Sequence, residues 1–257
     1  MSEPVPADEP VIDLGRIGAV VLGADGAVTD TARGHAAAWK HVFDAFLRGR
    51  SEPFDIREDY LRHVDGRPRL DGIRTFLAAR GITLPEGHPD DEPGAPTVHG
   101  LGSAKDRTFL AQVDEYGVAA FPSAVALLHE LRRRGARTAA VSASLHGRRL
   151  VRAAGVSHLF DVLVDGADAA RLGLPGHPDP ALFLEAARRL ELPPGRVAVV
   201  DAALPGVEAA GKGAFGLVLG VVREGGRAAE LRAHGAGAVV ADLGDVEVRG
   251  RVLPLTT

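Results

Sequence analysis

IGAVVLGADGAVTDTARGHAAAW, residues 17–39, is the stretch on which the reading of the whole chain turns. Its first six residues are apolar with no polar alternation, the pattern of a strand buried on both faces. Gly23-Ala24-Asp25-Gly26 then supplies turn residues, and from His35 to Leu47 (HAAAWKHVFDAFL) apolar positions recur at helical spacing. A buried strand, a glycine-rich turn and a helix in that order predict an α/β fold.

Working outward, the same kind of strand returns as RTAAVS (137–142), FDVLVDG (160–166), RVAVVD (196–201), FGLVLGV (215–221) and GAVVAD (237–242). Amphipathic helical stretches lie between them at 123–135, 180–190 and 227–235, two of them ending in a glycine suited to a helix stop. Short buried strands alternating with helices predict a parallel sheet flanked by helices. Residues 32–117 break the rhythm, with helical patterns at 35–47 and 71–81 and no comparable strand, so they are expected to form a helical insert placed directly after the first strand. In open α/β folds that position lies above the carboxyl edge of the sheet, where ligands bind, and a lid is the natural expectation. Gly100-Leu101-Gly102, read as lying before a helix, resembles half of a dinucleotide-binding signature, but no strand precedes it and the spacing is incomplete, so a dinucleotide site is rejected. The last segment, 246–255, alternates weakly and is expected to add an edge strand.

Composition narrows the function classes. A net charge of −4, from 30 Lys+Arg against 34 Asp+Glu, gives no pull toward nucleic acid or an anionic membrane. With no cysteine, disulfides, thiolate metal sites and thiol nucleophiles are excluded. No stretch approaches the roughly 20 apolar residues needed to span a bilayer. The opening MSEPVPADEP is acidic and proline-rich, unlike a secretory signal, so residues 1–14 are expected to be a flexible leader on a cytoplasmic protein.

GADGAVTDTARGHAAAW (23–39) resembles the opening of β-phosphoglucomutase-like members of the haloacid dehalogenase superfamily, in which an aspartate-rich motif ends the first strand and enters a helical cap. The resemblance continues, in the family's order and spacing, through VDGRPRLDGIRTFLAARGI (64–82), VSAS (141–144), LGLPGHPDPALFLEAARRL (172–190) and VVDAALPGVEA (199–209). It implies a haloacid dehalogenase-like core over 15–31 and 118–257 and a cap over 32–117. It also implies a chemistry. One aspartate at the strand tip attacks phosphorus and ligates Mg²⁺, and a second, two residues on, serves as acid and base. A Ser or Thr and a Lys hold the phosphoryl oxygens, and a further aspartate completes the metal site.

At the most demanding of these positions the sequence departs. Gly23 stands where the nucleophile belongs, Ala202 where the magnesium aspartate belongs, Asp201 where a glutamate is usual, and His177 where the lysine belongs. Retained are Asp25 at the acid–base position, Ser142 at the phosphate hydroxyl position, the hinge Thr29-Asp30, and His35, Arg69 and Lys105 in the cap, the last two at positions that in relatives grip a remote phosphate.

Each of these residues has a plainer alternative. Asp25 before Gly26 also makes an Asp-Gly turn, Ser142 also caps the following helix, Asp201 is either a weak metal ligand or an ordinary strand-end acid, and His177 is either a ligand or a solvated loop residue. The resemblance therefore implies a pseudoenzyme without a working Mg²⁺ site or any other cofactor, binding a phosphorylated metabolite or a protein partner. The alternative is an atypical hydrolase of sugar phosphates or other phosphate esters acting through Asp25.

Overall fold

Strand β2 (Ala19–Gly23) is buried along its whole length, and its side chains alternate between two cores. Val20 and Leu22 lie with Leu127, Leu128 and Leu131 on one face, while Ala19 and Val21 lie with Leu182, Phe183 and Ala186 on the other. A strand with two covered faces has no position for a polar side chain, which is why this segment reads as a continuous apolar run. The structure, a computed structural model, describes residues 10–223 and 227–252. Two compact units divide the chain: Met1–Asp30 with Ala119–Thr257, and Thr31–Val118.

In the first unit β2 is joined by β3 (Arg137–Val141), β4 (Val162–Val164), β5 (Val197–Asp201), β6 (Leu217–Val221) and β7 (Ala238–Val240) in a parallel sheet of order β4-β3-β2-β5-β6-β7. Helix α4 (Pro122–Arg133) contributes to the core on one face; α7 (Ala181–Arg189) and α8 (Leu204–Lys212) contribute to the other. The chain builds outward from β2 on one side through β3 and β4, then resumes on the other with β5. The strand order thus reverses between β2 and β5, and ligands of open α/β sheets bind at the carboxyl ends of the strands at such a reversal. Register places Gly23 beside Val141, and Leu22 beside Val200, so the tips of β2, β3 and β5 end together.

The second unit packs α1 (Ala32–Leu47), α2 (Arg69–Ala79) and α3 (Val98–Tyr116) around Trp39, Phe43, Phe54 and Phe76. Phe43 and Phe76 have ring centroids 4.2 Å apart, and Phe43 and Phe54 5.1 Å. A single π-helical turn (Tyr60–Val64) precedes α2.

Three expectations need correction. Residues 11–14 of the expected flexible leader 1–14 are ordered: β1 (Val11–Asp13) pairs with β8 (Glu247–Arg249) in a separate two-stranded parallel sheet, and Ile12 and Leu14 are buried in the core; residues 1–9 lie outside the described residues. Part of the final segment does form a strand, but against β1 rather than at the edge of the large sheet, and 253–255 lie outside the described residues. Gly100-Leu101-Gly102 lies inside the first turns of α3, not before it: Thr97 Oγ1 caps that helix by accepting from Gly100 N at 2.9 Å. Among the described residues no helix is long and apolar enough to cross a membrane.

The segments between α5 (Gly147–Ala153), α6 (Gly166–Leu172), α9 (Ala228–Ala233) and the strands are short, as expected of β–α units.

Candidate functional site

Beyond β2 the chain turns sharply at 24–29. Ala24 N donates to Val141 O at 2.7 Å, Gly26 N to Thr29 O at 2.9 Å, and both Thr29 N and Thr29 Oγ1 to Ala24 O at 2.8 Å. Gly26 sits at φ +78°, a conformation that an L side chain resists, which explains a glycine directly after Asp25. Turn and sheet hold Asp25 so that its Oδ2 accepts a 2.6 Å hydrogen bond from Ser142 Oγ, at the tip of β3. Ser142 Oγ in turn accepts from Ser144 N at 3.1 Å. Ser142 thus holds the loop after β3 and faces the acid of the turn; it does not cap α5, whose N-cap residue is His146.

The third tip explains how the fold accommodates Gly23. A Cβ built on Gly23 would overlap the Asp201 carboxylate and lie 2.9 Å from its Cγ; one on Gly206 would lie 2.6 Å from each carboxylate oxygen. Asp201 is 5% exposed and its Oδ1 accepts from Ala203 N at 2.8 Å. Its carboxylate thus occupies the volume a side chain at 23 would use, seated between two glycines and tied to the backbone leading into α8. The ordinary strand-end reading of Asp201 fits these contacts. Gly206 was not singled out in the sequence; its signal is only that a glycine interrupts the first turns of a helix.

His177 lies in the loop before α7 but departs from the solvated reading. It is buried, and its ring stacks on Phe183 of α7 with centroids 4.9 Å apart and planes 17° apart. A solvated loop histidine would not pack on a core aromatic.

Gly23 and Ala202 carry no side-chain donor for a metal, Asp201 Oδ1 accepts from Ala203 N, and among the described residues no group of three His, Cys, Asp or Glu side chains is placed to hold an ion.

The three candidates of the second unit form two groups. Lys105, 4% exposed, places Nζ 2.8 Å from His35 Nδ1, 4.5 Å from the Phe109 ring centroid and 5.4 Å from that of Trp39. An ammonium only donates, so Nδ1 accepts and His35 carries its ring proton on Nε2 in this pair. His35 also stacks on Phe109 at 3.9 Å. Arg69 forms an ion pair with Asp106, one residue along α3 from Lys105, and burial pushes its guanidinium down from the usual arginine value.

Sequence reasoning also missed Arg223, just past β6. Its Nε donates to Gly26 O at 3.1 Å and its Nη2 to Ala27 O at 2.9 Å, so it touches the turn of Asp25 from nearly two hundred residues away. No local pattern marks such a residue.

Comparison with known proteins shows the family to which the chain belongs. The model of the haloacid dehalogenase-like hydrolase family matches residues 17–213. The chain is 38% identical over 240 residues to a beta-phosphoglucomutase of Mycobacterium bovis, covering 90% of this chain and 92% of that protein. It is 40% identical over 245 residues to an uncharacterized glycosyl hydrolase of Mycobacterium tuberculosis, covering 93% of this chain but 18% of that protein. Among solved structures, CbbY from Rhodobacter sphaeroides in complex with phosphate superimposes with a TM-score of 0.67 at 26% identity, covering 90% of this chain and 97% of that one.

Proposed function

Because the chain belongs to the haloacid dehalogenase-like hydrolases, in their β-phosphoglucomutase-like group, we propose that it is a member that has lost magnesium-dependent phosphoryl transfer and serves to bind a phosphorylated metabolite or a protein partner. One observation carries this reading: the Asp201 carboxylate fills the place of a side chain at Gly23. Covalent phosphoryl transfer needs an attacking carboxylate at that strand tip and a cation to spread the charge of the transferring group. Gly23 supplies no nucleophile, Ala202 no side-chain metal ligand and His177 no fixed positive charge. Losing one member of a catalytic unit costs on the order of 10⁴–10⁶ in rate, and here two positions are lost together.

The binding half of the proposal is supported by Asp25 and Ser142 on the first unit, and by His35, Arg69 and Lys105 on the second. The partner-protein form is supported by the mycobacterial glycosyl hydrolase, in which a region similar to 93% of this chain makes up 18% of a much longer protein. A region that accompanies another enzyme in one chain is a natural candidate to accompany one as a separate chain.

Assays of the folded protein with p-nitrophenyl phosphate, acetyl phosphate and a panel of sugar phosphates, with magnesium and with chelator, test the loss of chemistry; no turnover is expected in any condition. Calorimetric titration with the same sugar phosphates and with inorganic phosphate tests binding, and co-purification tests for a partner. Absence of heat and of a partner would sink the binding reading.

A second reading is favoured by the 2.6 Å Ser142–Asp25 hydrogen bond, which keeps the acid–base residue oriented. In it, Asp25 activates water directly, without a covalent intermediate. Magnesium-independent, bell-shaped phosphatase activity abolished by Asp25→Asn would replace the first reading with this one.

A further inference from the structure

We propose that Arg223 is the positioning residue of this site: its guanidinium clamps the turn that carries Asp25 and anchors it to the far side of the sheet. The proposal rests on Asp25 and Ser142 being the surviving ligand contacts of the first unit. Gly26 O and Ala27 O, the two carbonyls that immediately follow Asp25, each accept a hydrogen bond from this one side chain, through Nε at 3.1 Å and Nη2 at 2.9 Å. Nη1 pairs with Asp242 Oδ2 at 3.2 Å, and the guanidinium lies over the Phe121 ring, 3.8 Å from its centroid.

Each partner of Arg223 is itself held. Asp242 accepts from Ser123 Oγ and from Gly244 N, both at 2.8 Å. Phe121 N donates to Val28 O at 2.9 Å, and Asp30 N to Ala119 O at 2.9 Å, so the segment leaving the Asp25 turn and the segment returning at 119–121 run side by side. All three guanidinium nitrogens and one face of the group are therefore engaged. They tie together the turn after β2, the returning segment and the loop after β7.

Only arginine has the geometry for this arrangement. A planar fork reaches two adjacent carbonyls and a carboxylate at once while stacking on a ring, whereas a lysine ammonium is a single point charge. The turn contains no regular strand that would hold those two carbonyls by itself, and buried backbone acceptors are costly to leave unmet. Loosening Arg223 therefore frees the carbonyl side of the turn and with it the direction in which Asp25 points.

Amide hydrogen exchange of the full chain, in wild type, Arg223→Lys and Arg223→Ala, combined with calorimetric titration of inorganic phosphate, tests this. In Arg223→Ala the amides of Gly26, Thr29, Asp30 and Phe121 are expected to exchange at least about tenfold faster while those of Val21, Ala139 and Val199 keep their protection, the mark of local rather than global opening. Arg223→Lys is expected to give a smaller change at the same four amides, and it provides the test if the alanine variant does not fold. Unchanged exchange at those amides, or acceleration spread equally over the central strands, would overturn the clamp. If wild type binds phosphate, Arg223→Ala should weaken the affinity at least about threefold, and equal affinity would also overturn it. If wild type gives no heat with phosphate, the ligand-binding reading of the site fails, and the exchange data alone decide whether Arg223 positions the turn.

Discussion

A glycine at 23 and an aspartate at 201 are two halves of one packing solution. The carboxylate lies where a Cβ at 23 would have to be, and Gly206 makes room for it from the other side. Adding a methyl group to such a contact forces a neighbour to move, at a typical cost of about 1–3 kcal/mol. Gly23→Ala is expected to destabilise by that order in denaturant unfolding, and to do so much less in an Asp201→Gly background. The difference is a coupling energy of at least ~1 kcal/mol in a double-mutant cycle, as contacting residues show. Additive effects would mean that Asp201 swings aside freely. The same crowding bears on repair of the site. Gly23→Asp with Ala202→Asp is expected to remain inert toward p-nitrophenyl phosphate with magnesium, because the new side chain at 23 meets a carboxylate already in place. Magnesium-dependent turnover by this variant would show that the ancestral geometry survives.

At the level of elements, the ends of β4, α6 and α7 are joined by charge. Asp168, one turn into α6, forms a capping box with Asp165 and receives Arg148, Arg171 and Arg189. Burial opposes its ionisation, but the three guanidinium groups outweigh this and hold its carboxyl well below the usual range. Glu185 of α7 accepts from Arg188 and Arg189, and Arg188 foremost holds it down to about 2. Both folded values lie below the unfolded ones. The stabilisation is therefore complete above about pH 4.5 and is lost as pH falls through the folded values. Wild type is expected to lose stability steadily between about pH 4.5 and 2. Asp168→Asn, with one acid-labile partner removed, should start about 1–3 kcal/mol lower at pH 7 and show a shallower acid limb in denaturant midpoints measured across that window. Equal slopes in the two proteins would assign the acid sensitivity to other carboxylates.

Across the whole molecule, the two units carry separate cores, and the only tryptophan, Trp39, lies in the core of the second. Phe76 is fully buried there among Phe43 and Phe54. Phe76→Ala removes a core aromatic, a change that typically costs about 3–5 kcal/mol. The Trp39 fluorescence transition is expected to shift to lower temperature, while a far-ultraviolet component from the sheet-bearing unit stays near its wild-type midpoint. A single coincident shift of both signals would show that the units unfold as one.

What the sequence by itself determined is the part governed by local pattern. Strands buried on both faces are continuous apolar runs and packed helices are periodic, so 17–22, 137–142, 196–201 and the stretches between them read directly as parallel strands and covering helices. The motif run from Gly23 to Trp39 likewise carried the family resemblance and put a glycine where that resemblance expects an aspartate, because residue identity at an aligned position needs no coordinates. Tertiary structure alone decided matters that depend on residues distant in sequence. The leader's end becomes a strand because β8 pairs with it, and His177 is packed because Phe183 lies against it. The Asp25 turn is clamped because Arg223 reaches it from beyond β6, and the space at Gly23 is closed because Asp201 and Gly206 meet there. Such contacts are set by how strands are ordered in the sheet and how closely side chains pack, and neither leaves a periodic signature along the chain.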